Sequence, residues 1–366
     1  MAVVGHGAVV QTTGGHALAG PVLGPAVGDI RGPVTMEVTS VADDGAVLHD
    51  GHRVVRHDGL EPATAYRLDG VEFSTLPRPP GRRLATVATV NDVHFGETVC
   101  GVLAGVDLGP PLRADAGEAP YPETMNRAAV AEIAACRPDA VVAKGDLTST
   151  GTTEEFDAFM GCYGTAFGDR LHWVRGNHDV LIDGAVTGLG PVAVELPGVI
   201  LALLDTSVPG RAGGALGASQ LEWLDELGAR ADRPVLAFGH HPLADGRNDS
   251  FGITPDDTRA LVTVVARRPA VAGYFAGHTH RNRVRHLAET GAVPWAEVSS
   301  TKDFPGGWAE YRVYEGGILQ VFRRISTPEA LDWSERTRSM FGGLYPAYSF
   351  GALEDRCFPI WPRGAS

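Results

Sequence analysis

The stretch VAGYFAGHTH, residues 271–280, sets an apolar run against two histidines spaced i, i+2. Val271, Ala272, Tyr274, Phe275 and Ala276 read as a buried strand that breaks at Gly277. Core residues that end in His278 and His280 place two imidazoles on the rim of a sheet. If the chain stays extended there, both rings fall on the same side.

Four other apolar runs end in the same way. LATVATVNDVHFG (84–96) leads to Asp92 and His94, and AVVAKGDLTSTG (140–151) leads to Gly145 and Asp146. LHWVRGNHD (171–179) leads to Asn177, His178 and Asp179, and VLAFGHHP (235–242) to His240 and His241. Each motif alone has an ordinary reading: HxH as a hydrogen-bonded pair, GNHD as a polar turn, HHP as a surface turn. Together they are informative, because six of the 13 histidines fall in these five short motifs, each behind a strand-like run. In layered α/β folds the carboxyl ends of strands are where sites form. Asp, Asn and His pooled at five such ends, with no thiolate, suit a site for two ions of Mn, Fe, Zn or Co.

From residue 81 to about 325 the apolar runs alternate with helical stretches near 122–136, 153–166, 218–230 and 255–267, which indicates a layered α/β catalytic domain. Residues 1–80 carry short β-type runs (VTMEVTS, HRVVRH, YRLDGVEFSTL) and read as a small all-β domain, with TLPRPPGRR (75–83) as its boundary. Residues 326–366 form an aromatic C-terminal extension expected to pack on the catalytic domain or on a partner subunit.

The chain has 366 residues, 44% of them hydrophobic, and a net charge of −13. That charge argues against a nucleic-acid polymer as partner. A small anionic substrate remains compatible, since bound metal ions invert the charge of a pocket locally. The four cysteines form no CxxC pair. No run is long and apolar enough to span a membrane, and no leader pattern is visible at the N-terminus, so a cytoplasmic protein is expected. The sequence leaves room for a homo-oligomer.

Taken in order, the five motifs resemble the calcineurin-like metallophosphoesterases, whose pattern runs D-x-H, G-D, G-N-H-[DE], H and G-H-x-H. The resemblance covers roughly residues 85 to 325. It implies an α/β fold, a four-layer α-β-β-α sandwich, with a dinuclear metal centre and a small phosphoester as substrate. Carried over residue by residue, one ion takes Asp92, His94 and His280, and the other takes Asn177, His240 and His278, with Asp146 bridging. His178 then faces the phosphate and protonates the leaving oxygen, with Asp179 orienting it. A hydroxide generated from water by the two ions is the implied nucleophile. Purple acid phosphatases place a tyrosine where this chain has Ser149, and protein Ser/Thr phosphatases have an arginine after GD that GDLTSTG lacks.

The motif forms look most like bacterial class III cyclic-nucleotide phosphodiesterases and glycerophosphodiesterases. The expected activity is therefore phosphodiester hydrolysis. A phosphomonoesterase with the same centre is the alternative, and a non-catalytic binding protein a remote one. Candidate substrate contacts are His241, the second histidine of GHHP, and Arg247 and Lys302 outside the motifs, and the insert 96–121 is a candidate lid. LEPATAY (60–66) resembles the tyrosine corner of fibronectin type III-like domains, which implies a hydrogen bond from Tyr66 to nearby backbone.

Overall fold

The structure, a computed structural model, describes residues 36–102, 108–182, 184–246 and 251–363. Arg247, a candidate substrate contact, lies outside them.

The apolar runs become strands buried on both faces, which is why they read as continuous rather than alternating patterns. In the strand Arg83–Val90, Ala85 and Val87 turn to one face while Ala88 and Val90 turn to the other. In Ala140–Lys144 the same split separates Ala140 and Val142 from Val141 and Ala143.

Two six-stranded sheets result. The first runs, edge to edge, Cys357–Ile360, Gly317–Arg324, Gly307–Tyr314, Arg83–Val90, Ala140–Lys144 and Leu171–Val174, and its last three strands are parallel. The second runs Arg283–Arg285, Trp295–Glu297, Val271–Ala276, Val235–Phe238, Val199–Leu203 and Val192–Leu196. Its four central strands are parallel and its edges antiparallel.

Three apolar layers hold the sandwich together. Val87, Val142, Leu201, Phe238, Phe275 and Tyr311 fill the space between the sheets. The outer face of the first sheet packs on helices Tyr121–Ala135 and Pro328–Thr337 through Met125, Ile133 and Trp333. The outer face of the second packs on Gly217–Arg230 and Pro255–Arg267 through Leu224, Leu261 and Val265. Each fully buried Val, Leu or Phe contributes about 1.5–3 kcal/mol. The four layers are helix, sheet, sheet, helix, as expected. Among the described residues no helix is long and apolar enough to cross a membrane.

Residues 36–76 form a three-stranded antiparallel sheet (Glu37–Val41, Gly45–Asp50, Arg53–Asp58) and a hairpin (Ala65–Leu68, Val71–Ser74). Val41, Leu48, Phe73 and Leu76 join the apolar layer between the large sheets. Asp43, fully buried, pairs with Arg312 at 2.7 Å and accepts from the Tyr314 hydroxyl at 3.1 Å. The Tyr66 hydroxyl accepts from the Glu61 amide at 2.9 Å. The C-terminal residues return to the first large sheet, where Cys357–Ile360 adds the edge strand beside Gly317–Arg324.

Candidate metal centre

All five motifs lie in loops that follow parallel strands, so the sheet topology alone brings them to one end of the sandwich. The loops turn at once. Among the described residues nine non-glycine positions have positive φ, and five of them are Asp92 (51°), His94 (46°), Asp146 (50°), His278 (67°) and His280 (54°). Such backbone costs about 1–3 kcal/mol per residue and persists only where the surroundings enforce it. The motif glycines allow the close approach. Gly145 has φ +84°, and an added Cβ would sit 2.5 Å from Nδ1 of His240. At Gly176 an added Cβ would run into the Asp146 carboxylate.

The side chains converge in two sets. Nε2 of His280 lies 3.2 Å from Oδ1 of Asp92, and Nε2 of His94 lies 3.5 Å from Oδ2 of Asp146. On the other side, Nε2 of His240 lies 3.3 Å from the same Oδ2 and 3.3 Å from Oδ1 of Asn177. The His278 ring stands 5.1 Å from that of His240, and its backbone amide donates to Oδ2 of Asp92 at 3.0 Å. Lys144, buried at the end of its strand, donates to the Ala276 carbonyl at 3.0 Å while its own carbonyl faces Nδ1 of His240 at 2.8 Å. The two sheets are thereby tied together directly beneath the site.

This donor set fits metal ions. Asp92 Oδ1 and Nε2 of His94 are buried without a hydrogen bond, although each lies within 3.5 Å of another member of the set. Buried polar atoms are normally satisfied, and a cation coordinated by both would satisfy them. The electrostatics agree. Burial disfavours the charged form of His240, but the neighbouring Asp146 carboxylate outweighs it and raises the pKa to about 9. Burial acts against charge on His280 too, and Asp92 and Asp303 raise it to about 10. The carboxylates thus hold positive charge at the places where cations would bind.

His178 Nδ1 lies 2.6 Å from the Ser149 carbonyl, an oxygen that can only accept. That nitrogen therefore carries a proton, and Nε2 is the one left for a substrate. Asp179 does not orient the ring, contrary to expectation. Its buried carboxylate accepts from the amides of Leu147 (3.1 Å), Thr148 (2.8 Å) and Gly176 (2.7 Å), and so pins the GD loop to the GNHD loop.

The candidate substrate contacts His241 and Lys302 are also engaged elsewhere. His241 has Nδ1 2.8 Å from the Thr206 hydroxyl and Nε2 3.0 Å from the Ala212 carbonyl, which leaves neither nitrogen for a ligand. Lys302 is 5% exposed, with its ammonium 2.5 and 2.6 Å from the two carboxylate oxygens of Glu97.

Sequence reasoning missed three residues that hold the donors: Glu97 beside Nδ1 of His94 at 3.1 Å, Asp303 beside Nδ1 of His280 at 3.2 Å, and Thr206 under the 240–241 turn. Glu97 follows the DVH motif by three residues and Asp303 follows Lys302 directly. The signal was a carboxylate close in sequence to a suspected site residue.

The model of the calcineurin-like phosphoesterase family matches residues 85–282, more than half of the chain. A cAMP/cGMP dual specificity phosphodiesterase of Mycobacterium tuberculosis is 35% identical over 158 residues, which cover 39% of this chain and 49% of that protein. A glycerophosphodiester phosphodiesterase of Enterobacter lignolyticus is 31% identical over 161 residues, covering 39% and 56%. The chain thus spans about half the length of these curated relatives. A dimetal phosphatase from Danio rerio shares the fold, with a TM-score of 0.55 and 17% identity over 67% of this chain and 98% of that one. By its ordered motifs, its matched residues and its four-layer sandwich, the chain belongs to the calcineurin-like phosphoesterase family.

Proposed function

We propose that the chain is a dinuclear metal-dependent phosphodiesterase acting on a small organic phosphodiester, a cyclic nucleotide or a glycerophosphodiester. The observation that carries this reading is the position of Asp146, whose Oδ2 lies 3.5 Å from Nε2 of His94 and 3.3 Å from Nε2 of His240, between the two donor sets. Asp92, His94 and His280 would hold one ion, Asn177, His240 and His278 the other, and Asp146 both. Mn, Fe, Zn and Co all accept such oxygen and imidazole donors. When bound, the two ions would acidify a water and neutralise the phosphoryl oxygens.

The remaining chemistry falls to the chain's own groups. His178, its Nδ1 fixed on the Ser149 carbonyl, offers Nε2 to the leaving oxygen and delivers a proton to it. The amide of His178 donates to Oδ1 of Asp146 at 3.0 Å, so proton donor and shared carboxylate keep a fixed spacing.

The preference for a diester rests on the relatives' activities and on the cations near the site. A monoester carries a further negative charge and calls for a further cation. Among the described residues, Lys302 is paired with Glu97 and Arg281 with Glu297 at 2.7 Å. The test is hydrolysis of bis(p-nitrophenyl) phosphate against p-nitrophenyl phosphate by protein reconstituted with Mn, Fe, Zn or Co. Faster diester turnover supports the reading. Faster monoester turnover contradicts the diester assignment, and no turnover of either with two ions bound contradicts the catalytic one for these substrates.

A further inference from the structure

Behind His94 and His280 lies a cluster of buried charges that the catalytic reading does not use. Its members run in a chain. Glu97 Oε2 stands 3.1 Å from Nδ1 of His94, and Lys302 Nζ stands 2.5 and 2.6 Å from the Glu97 oxygens. The same ammonium is 3.8 Å from Oδ2 of Asp303, which in turn is 3.2 Å from Nδ1 of His280. Each carboxylate is braced again from outside. The Tyr121 hydroxyl donates to Glu97 at 2.6 Å and the Tyr345 hydroxyl to Asp303 at 2.7 Å. Trp333 Nε1 donates to the Lys302 carbonyl at 2.7 Å and fixes the backbone that carries the cluster.

A lysine this deeply buried is costly unless its charge is paired, and here it pairs with both carboxylates that back a donor imidazole. Without it, two like charges would face each other in a desolvated space and repel. A carboxylate behind an imidazole fixes the ring's rotation and its tautomer, which leaves the opposite nitrogen as donor. Whatever sets the spacing of Glu97 and Asp303 therefore sets the aim of His94 and His280 together. The other donor set is held differently, with His240 resting on the neutral Lys144 carbonyl. Lys302 and Asp303 lie beyond residue 282, where the family match ends.

We infer that Lys302 is the positioning residue of one metal site: through Glu97 and Asp303 it aims His94 and His280 at the same ion, and the other site does not depend on it. This rests on the dinuclear reading above.

The test titrates metal-free protein with Mn(II) alone, counting bound ions and their affinities by calorimetry and metal analysis. The proteins compared are the wild type, Lys302→Met, and the pair Glu97→Gln with Lys302→Met. The pair removes one charge of each sign, so it keeps the net charge of the cluster if the single variant fails to fold. The wild type is expected to bind two ions. A folded variant is expected to keep one at wild-type affinity and bind the other about 10- to 100-fold more weakly. Local action is checked in two further backgrounds. With His240→Asn the Lys302 substitution must weaken the remaining ion, and with His280→Asn it must leave the remaining ion unchanged. Two wild-type affinities in a folded variant, or equal weakening of both, overturn the inference. A wild type that binds a single ion overturns the dinuclear reading itself, and this inference with it.

Discussion

The two donor sets use nearly the same ligands but are backed by different chemistry. His94 and His280 stand on carboxylates, Glu97 and Asp303, that converge on one buried lysine. His240 stands on a backbone carbonyl, and the 240–241 turn hangs on the hydroxyl of Thr206, which accepts from the amides of His240 at 3.3 Å and His241 at 3.1 Å. One half of the centre is thus an ionic assembly made of side chains far apart in sequence. At His240 the other half rests on a backbone carbonyl and a threonine hydroxyl. An anionic partner raises the basicity of an imidazole more than a neutral carbonyl does, so His280 should be a stronger donor than His240.

The largest expected effect comes from the residue common to both halves. Asp146→Asn should abolish turnover and lower the bound metal from two ions to one or none, as read by metal analysis alongside the diester assay. Retention of two ions and of rate would remove the shared carboxylate from the account. Next in size is His178→Asn, which removes the proton donor but none of the side chains assigned to the two ions. Hydrolysis of a diester with a poor alkoxide leaving group should slow about 100- to 10,000-fold. p-Nitrophenolate, which leaves without a proton, should be affected far less, and metal content not at all.

Protons sharpen the comparison further. His240 and His280 have pKa values raised to about 9 and about 10, so both carry a proton in the metal-free protein at neutral pH. A metal must displace those protons. Binding should therefore release protons and weaken as pH falls below about 9, by up to about tenfold per pH unit for each proton displaced. Calorimetry in buffers of different ionisation enthalpy measures that release, and an affinity flat between pH 6 and 9 would contradict it. The smallest effect is expected at Thr206→Val. It removes the hydroxyl beneath His240 and His241, should cost about 1–3 kcal/mol of stability in thermal unfolding, and should weaken only the ion on that side.

The ligand loops were legible in the sequence because each is a local event: a strand, a turn, and one or two donors within a few residues. The strands themselves were legible for the same reason, and GAVLHD at 45–50, the middle strand of the small sheet, and CFPI at 357–360, an edge strand, escaped notice because both are short and carry little pattern of their own. What backs the donors was not legible. Asp303 meets His280 from 23 positions away, and Lys302 meets Glu97 from 205. Lys302 reads as a phosphate contact only while its burial is unknown, since a lysine in a turn is ordinarily exposed. The resemblance assigns Asp179 to orient His178, yet three backbone amides compete for its carboxylate and win.

The most direct test of the central claim is anomalous diffraction from a crystal of the protein loaded with Mn(II). Two peaks are expected, one beside Asp92, His94 and His280 and one beside Asn177, His240 and His278, with the Asp146 carboxylate between them. A single peak, or two peaks that do not share Asp146, would contradict it.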